Sequence, residues 1–155
     1  MAFGADHADG LDRLDEELRL AQQPVPELFR KVIADACTRI PVLRKAGKLA
    51  RIDRLVAVQA WTDAALALIE LEMPARKVRR LTLEGGEWFC SLSRQPNLPA
   101  GLDESGDASH ELLPLAILLA FLQARRMAEA APAAVSAVPA VCAAADGTIC
   151  CDNFA

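Results

Sequence analysis

Among its 155 residues the chain has no tyrosine, two tryptophans, five phenylalanines and two histidines. Scarce aromatics beside abundant alanine and leucine favour helix over strand, because those aliphatic side chains lose little freedom in a helix. Two histidines leave most acid–base and metal enzymes without material. The phosphate-cradling G-x-x-x-x-G-K-[ST], the dinucleotide G-x-G-x-x-G, the nucleophile elbow G-x-S-x-G and the zinc motif H-E-x-x-H do not occur. No cofactor is therefore expected. Long apolar runs are missing too: the stretch 130–145 is nearly free of charge, but Pro132 and Pro139 interrupt it and it is too weakly hydrophobic to span a bilayer. The acidic opening "MAFGADHADGLDRLDEEL" has neither the basic region nor the apolar core of a secretory leader. The expectation is a cytoplasmic protein without membrane association, its five cysteines held as reduced thiols.

What is present suits one core. With 53% hydrophobic and 25% charged residues the chain has enough for a single domain, expected over 1–130, and too little for two. Beyond it, 131–155 is a low-complexity Ala/Pro/Val stretch that reads as a flexible tail. A first helix is predicted over Asp9–Gln22, capped by Asp9, with Leu11, Leu14 and Leu18 along one face. A second should start at Pro26, whose missing N–H costs nothing in a first turn, and run to Pro41. The segment 43–49 is ambiguous. The clearest helix spans Arg51–Glu72, where Pro74 stops it. A last helix should begin near Leu113, after a cap from Asp107 or Ser109, and is apolar all round from Leu112 to Leu122, as a central helix would be.

Between these helices "LTLEGGEWFCSLS" reads as a β-hairpin, because Gly85 and Gly86 tolerate the positive φ of a two-residue turn. That turn sets Leu83 opposite Trp88, Leu81 opposite Cys90 and Arg79 opposite Leu92 on one side. Thr82–Phe89, Arg80–Ser91 and Val78–Ser93 fall on the other. A lone hairpin is marginal, so its Trp88 side needs helices over it. The fold class expected is α+β: a mostly helical domain with three to four helices packed on one face of a β-hairpin. Cys90 then behaves as a small buried hydrophobe with a raised pKa. The segment Gln95–Asp107 reads as an irregular loop.

Three constellations have the residue types for chemistry. Cys90, His110 and an acid such as Asp107 have the composition of a nucleophile, a base and an orienter, but no family signature surrounds them. Cys142, Cys150 and Cys151, with His7 or Asp152, are metal-ligating types whose spacing of eight and one does not suit a structural zinc site. Asp103, Glu104 and Asp107 lack the alternating ligands and final glutamate of a calcium loop. No catalytic, metal or cofactor residue is assigned from these.

Charge is segregated. The stretch Arg30–Arg80 holds twelve of the 17 basic residues and five of the 21 acidic ones, a surplus of seven positive charges in a chain of net charge −4. Such a distribution fits internal pairing, an anionic partner, or self-association between opposite patches. Nucleic acid is disfavoured by the sequence pI of about 5.2 and by the lack of aromatics among the basic residues. The leading expectation is a protein-binding or regulatory module that self-associates or docks on a protein partner. A small enzyme at Cys90 and His110 beside the 95–107 loop is the alternative, and weak binding of an anionic partner through the basic middle is the third reading.

Overall fold

In the computed structural model, residues 3–40, 49–99 and 102–130 are described, with side chains from residue 9 onward. They form five helices and three strands: α1 (Phe3–Leu20), α2 (Pro26–Ala36), α3 (Ala50–Ala57), α4 (Trp61–Glu72), β1 (Lys77–Glu84), β2 (Glu87–Ser93), β3 (Gly106–His110) and α5 (Leu113–Ala130). The class is α+β. The segment 131–155, expected to be a tail, lies outside the described residues.

α5 is the hub. Every residue from Leu115 to Leu122 is fully buried, the outcome of an apolar pattern without a polar side. Pro114 sits in the first turn, where no N–H is missed. One side of α5 lies on β2 and β3; α1, α2 and α4 pack on the rest of it. α1 presents Leu11, Leu14 and Leu18 to that core and is clamped by Arg126 of α5, which bonds the Asp12 carboxylate at 2.7 Å and the Leu11 carbonyl at 3.1 Å. α1 starts at Phe3, ahead of the expected cap; Asp9 is an interior residue paired with Arg13 one turn on, at 2.8 Å.

Tertiary contacts moved two other helix ends. α2 begins at Pro26 as expected but stops at Ala36, because Cys37 is extended and the N–H groups of Thr38 and Arg39 donate to the buried Glu72 carboxylate, at 2.8 and 3.0 Å. A carboxylate inside the fold needs such donors, and the chain leaves the helix to supply them. The expected single helix Arg51–Glu72 is two. α3 closes with the Ala60 N–H on the Leu55 carbonyl at 2.8 Å, the Gln59 N–H on the Val56 carbonyl at 3.1 Å, and Gln59 at φ 60°. This is a Schellman closure with glutamine in the left-handed position that glycine usually fills. It turns the chain so that Trp61, at the start of α4, stacks on Phe29 of α2 with ring centroids 5.6 Å apart.

The sheet has three antiparallel strands in the order β1-β2-β3. Gly85 and Gly86 take φ of 62° and 91° in the hairpin turn, and the upper register is the expected one: Leu83 with Trp88, Thr82 with Phe89, Leu81 with Cys90, Arg80 with Ser91. Below it a bulge at Arg79 shifts the ladder, so Val78 pairs with Leu92 and Lys77 with Ser93, in place of the expected Arg79–Leu92 and Val78–Ser93 pairs. The third strand replaces what reads as loop and helix cap. Asp107 pairs with Ser91 and Ser109 with Phe89, so neither caps α5. "GDASH" has no strand composition of its own and is held by β2 and α5.

Gly106 shows how closely β3 and α5 meet. A β-carbon there would lie 2.6 Å from the Ala124 nitrogen and 2.7 Å from the Ala120 oxygen, both backbone atoms that cannot swing away. Gly10, inside α1, has nothing within 4 Å. Gly106→Ala should therefore destabilise by about 1–3 kcal/mol, whereas Gly10→Ala should stabilise by about 0.5–1 kcal/mol through helix propensity. Thermal melts of the two variants should shift in opposite directions; a Gly106→Ala chain that melts with the parent contradicts the close approach.

Candidate functional site

The sheet separates the catalytic candidates. Cys90 is fully buried, on the face shared with Trp88 and Leu92, and pairs with Ala108. Asp107, the residue before Ala108, points to the other face and accepts a hydrogen bond from the Ser91 hydroxyl at 2.6 Å. His110 closes β3 opposite Trp88, and its Nδ1 accepts the Leu112 N–H at 2.9 Å, which ties the ring to the start of α5. His110 also lines an open cleft of about 520 Å³ with Arg19 and Glu87. No hydrogen bond joins Cys90, His110 and Asp107 to one another. Burial, with the Asp107 charge adding to it, pushes the Cys90 thiol up to about 12, so it is protonated at neutral pH. Cys37 is likewise buried and pushed up, by burial first and by Glu72 second.

The acidic residues between β2 and β3 are dispersed. Asp103 is drawn inward: its side chain is 2% exposed and pairs with Arg79 at 3.0 Å. The Ser93 hydroxyl foremost, with the Gln95 N–H and Arg79, holds the Asp103 carboxyl below the usual range in spite of burial. Arg79 also donates to the Leu98 carbonyl at 2.9 Å, so the bulged residue of β1 ties down the 94–105 connection. Glu104 is exposed and gives its backbone carbonyl to Arg76, while Asp107 belongs to the strand. Among the described residues no group of three His, Cys, Asp or Glu could hold a metal ion. Cys142, Cys150, Cys151 and Asp152 lie outside the described residues, as does the side chain of His7.

Much of the basic middle is paired internally: Arg30 with Glu27, Lys31 with Glu17, Arg51 with Glu70, Arg79 with Asp103, and Arg80 with Glu84. Arg39 and Arg76 are different. With Arg94 and Arg125 they line a cavity of about 300 Å³ where the end of α4, the turn into β1, the end of β2 and the last turns of α5 converge, with Glu72 and Glu104 also in its wall. These arginines, scattered over 87 positions, carry no local motif that the sequence could have shown.

The other feature is an edge. α5 covers β3 and β2, and β1 lies beyond it. Val78, Leu81 and Leu83 stay 38, 39 and 56% exposed, and the bulge places all three on the Trp88–Cys90–Leu92 side of the sheet. Among the described residues no strand pairs with the outer edge of β1.

Comparison with protein families, with curated proteins and with solved structures finds no match to this chain.

Two outcomes follow. With Cys142, Cys150 and Cys151 replaced by serine, the folded chain at about pH 8 should leave a thiol reagent unconsumed, whereas unfolded chain labels at both Cys37 and Cys90. Rapid labelling of Cys90 in the folded chain contradicts the burial described. Asp103 has a lowered folded pKa, so its tether contributes stability above the ordinary carboxylate value of about 4 and loses it as pH falls from there through the lowered one. Asp103→Asn should melt below the parent at neutral pH, and the gap should narrow in acid; a gap independent of pH refutes an ionised tether.

Proposed function

We propose that the chain is a protein-binding module of one domain, over 1–130, that self-associates by pairing its β1 edge with β1 of a second copy. An open strand edge offers a row of N–H and C=O groups to another chain. The apolar trio Val78, Leu81 and Leu83 on one side of β1 is the observation that carries the reading.

The bulge makes this edge self-complementary. In an antiparallel pair centred on Leu81, Leu81 meets Leu81, Thr82 meets Arg80, Leu83 meets Val78 across the bulge, and Glu84 meets Lys77. Each apolar residue then faces an apolar one on the same side, and opposite charges close both ends. An unrelated strand would meet Lys77 and the apolar trio without that match, so the edge favours a second copy over an arbitrary strand. The partner is thus the same chain, in a closed twofold dimer with a six-stranded sheet. A reducing compartment, in which Cys37 and Cys90 stay thiols, suits such a module.

Sedimentation velocity across a range of concentrations should show a monomer–dimer equilibrium. Leu81→Lys, which sets like charges face to face at the centre, should weaken it by roughly tenfold or more while circular dichroism is unchanged. A chain that stays monomeric at about 0.5 mM, a concentration at which even weak pairs form, or a dimer indifferent to Leu81→Lys, refutes the proposal.

A further inference from the structure

The arginine cavity has more positive charge than the protein neutralises. Arg76 is 4% exposed, yet its partners are backbone carbonyls: Glu104 at 2.9 Å and Leu92 at 3.4 Å. Among the described residues no carboxylate forms an ion pair with it. A buried guanidinium without a carboxylate in contact is costly, and burial first, then neighbouring Arg94, holds Arg76 below its usual pKa against the opposing charges of Glu104 and Asp103. The Arg125 side chain is 12% exposed; it reaches Glu129 at 3.1 Å and Glu72 at 3.8 Å, and its buried Nε has no hydrogen-bond partner among the described residues.

Glu72 cannot balance these arginines alone, because its oxygens already accept the N–H groups of Thr38 and Arg39 and the Thr38 hydroxyl. At the rim, Arg94 and Arg39 are exposed, and their guanidinium groups form no ion pair among the described residues. Four guanidinium groups against the carboxylates of Glu72 and Glu104 in the wall and of Glu129, paired with Arg125, leave an excess of one positive charge around one concave space.

We infer that this cavity is a binding site for a small phosphate monoester, with Arg76 and Arg125 on its floor and Arg39 and Arg94 at its rim. A phosphate group carries about −1.5 to −2 charges at neutral pH, and its three oxygens can accept from several forked guanidinium donors at once. A single carboxylate offers the same donors only two acceptor oxygens. The volume of about 300 Å³ is at the small end of ligand sites and leaves room beside a phosphate for a short organic group. The site is separate from the outer edge of β1, and its occupation does not depend on self-association.

The test is calorimetric titration with O-phosphoserine and with inorganic phosphate at constant ionic strength, paired with thermal melts in phosphate and in chloride. Both phosphates should bind and raise the melting temperature, the monoester more tightly. Binding should weaken near pH 5, where phosphate loses its second charge. Arg94→Gln together with Arg39→Gln, both at the exposed rim, should weaken binding by roughly tenfold while the ligand-free melt is unchanged. Arg76→Gln should abolish binding; because that residue also holds two carbonyls, the rim variant decides if it fails to fold. Equal melts in phosphate and chloride, phosphate binding unaffected by the rim variant, or succinate binding as tightly as phosphate would each overturn the assignment.

Discussion

A helix without a polar side has to be enclosed, and α5 is the constraint that organises this fold. Its buried stretch from Leu115 to Leu122 obliges the sheet to cover one side and α1, α2 and α4 to cover the others. The closest part of that enclosure is the approach of Gly106 to the Ala120–Ala124 backbone, which brings β3 within reach of the helix at a separation no side chain allows. From there the strand order follows. β3 is fixed by α5, β2 by β3, and β1 by the hairpin turn, which leaves β1 outside the footprint of the helix. The exposed apolar edge is a geometric consequence of covering a three-stranded sheet with one helix.

Polar groups at the margins of that core set where elements stop. Glu72 draws the chain out of α2 by taking the N–H groups of Thr38 and Arg39. Arg79, displaced from the ladder by the bulge, ties Asp103 and Leu98, and Arg76 holds Leu92 and Glu104. The connection from β2 to β3 is thus tethered by Arg76, just before β1, and by Arg79 within it. The bulge has two effects at once: it sends Arg79 toward the loop and returns Val78 to the apolar side of β1.

These arrangements leave chemistry to two places. The sulfur at Cys90 is enclosed and protonated, with the neighbouring acid on the opposite face of the sheet, so the central strand serves packing. The edge of β1 and the arginine cavity stay open, one offering backbone hydrogen bonds and leucines, the other unbalanced charge. Arg76 stands between them in the chain, the last residue before β1 and part of the cavity wall.

Local rules were enough for elements whose signal is contiguous. The Gly85–Gly86 turn and the upper hairpin register follow from φ preferences and a period of two, the start of α2 from Pro26, and the burial of Cys90 from its place beside Leu81 and Trp88. The all-apolar run from Leu112 to Leu122 announces a central helix. Features made by residues far apart were not legible. The break at Gln59 has no glycine to mark it, β3 has no strand composition, and the bulge at Arg79 depends on a loop that its side chain must reach. The convergence of Arg39, Arg76, Arg94 and Arg125 has no periodicity at all. Short-range backbone preferences are written in neighbouring residues, whereas charge balance and close approach depend on which surfaces the packing of α5 brings together.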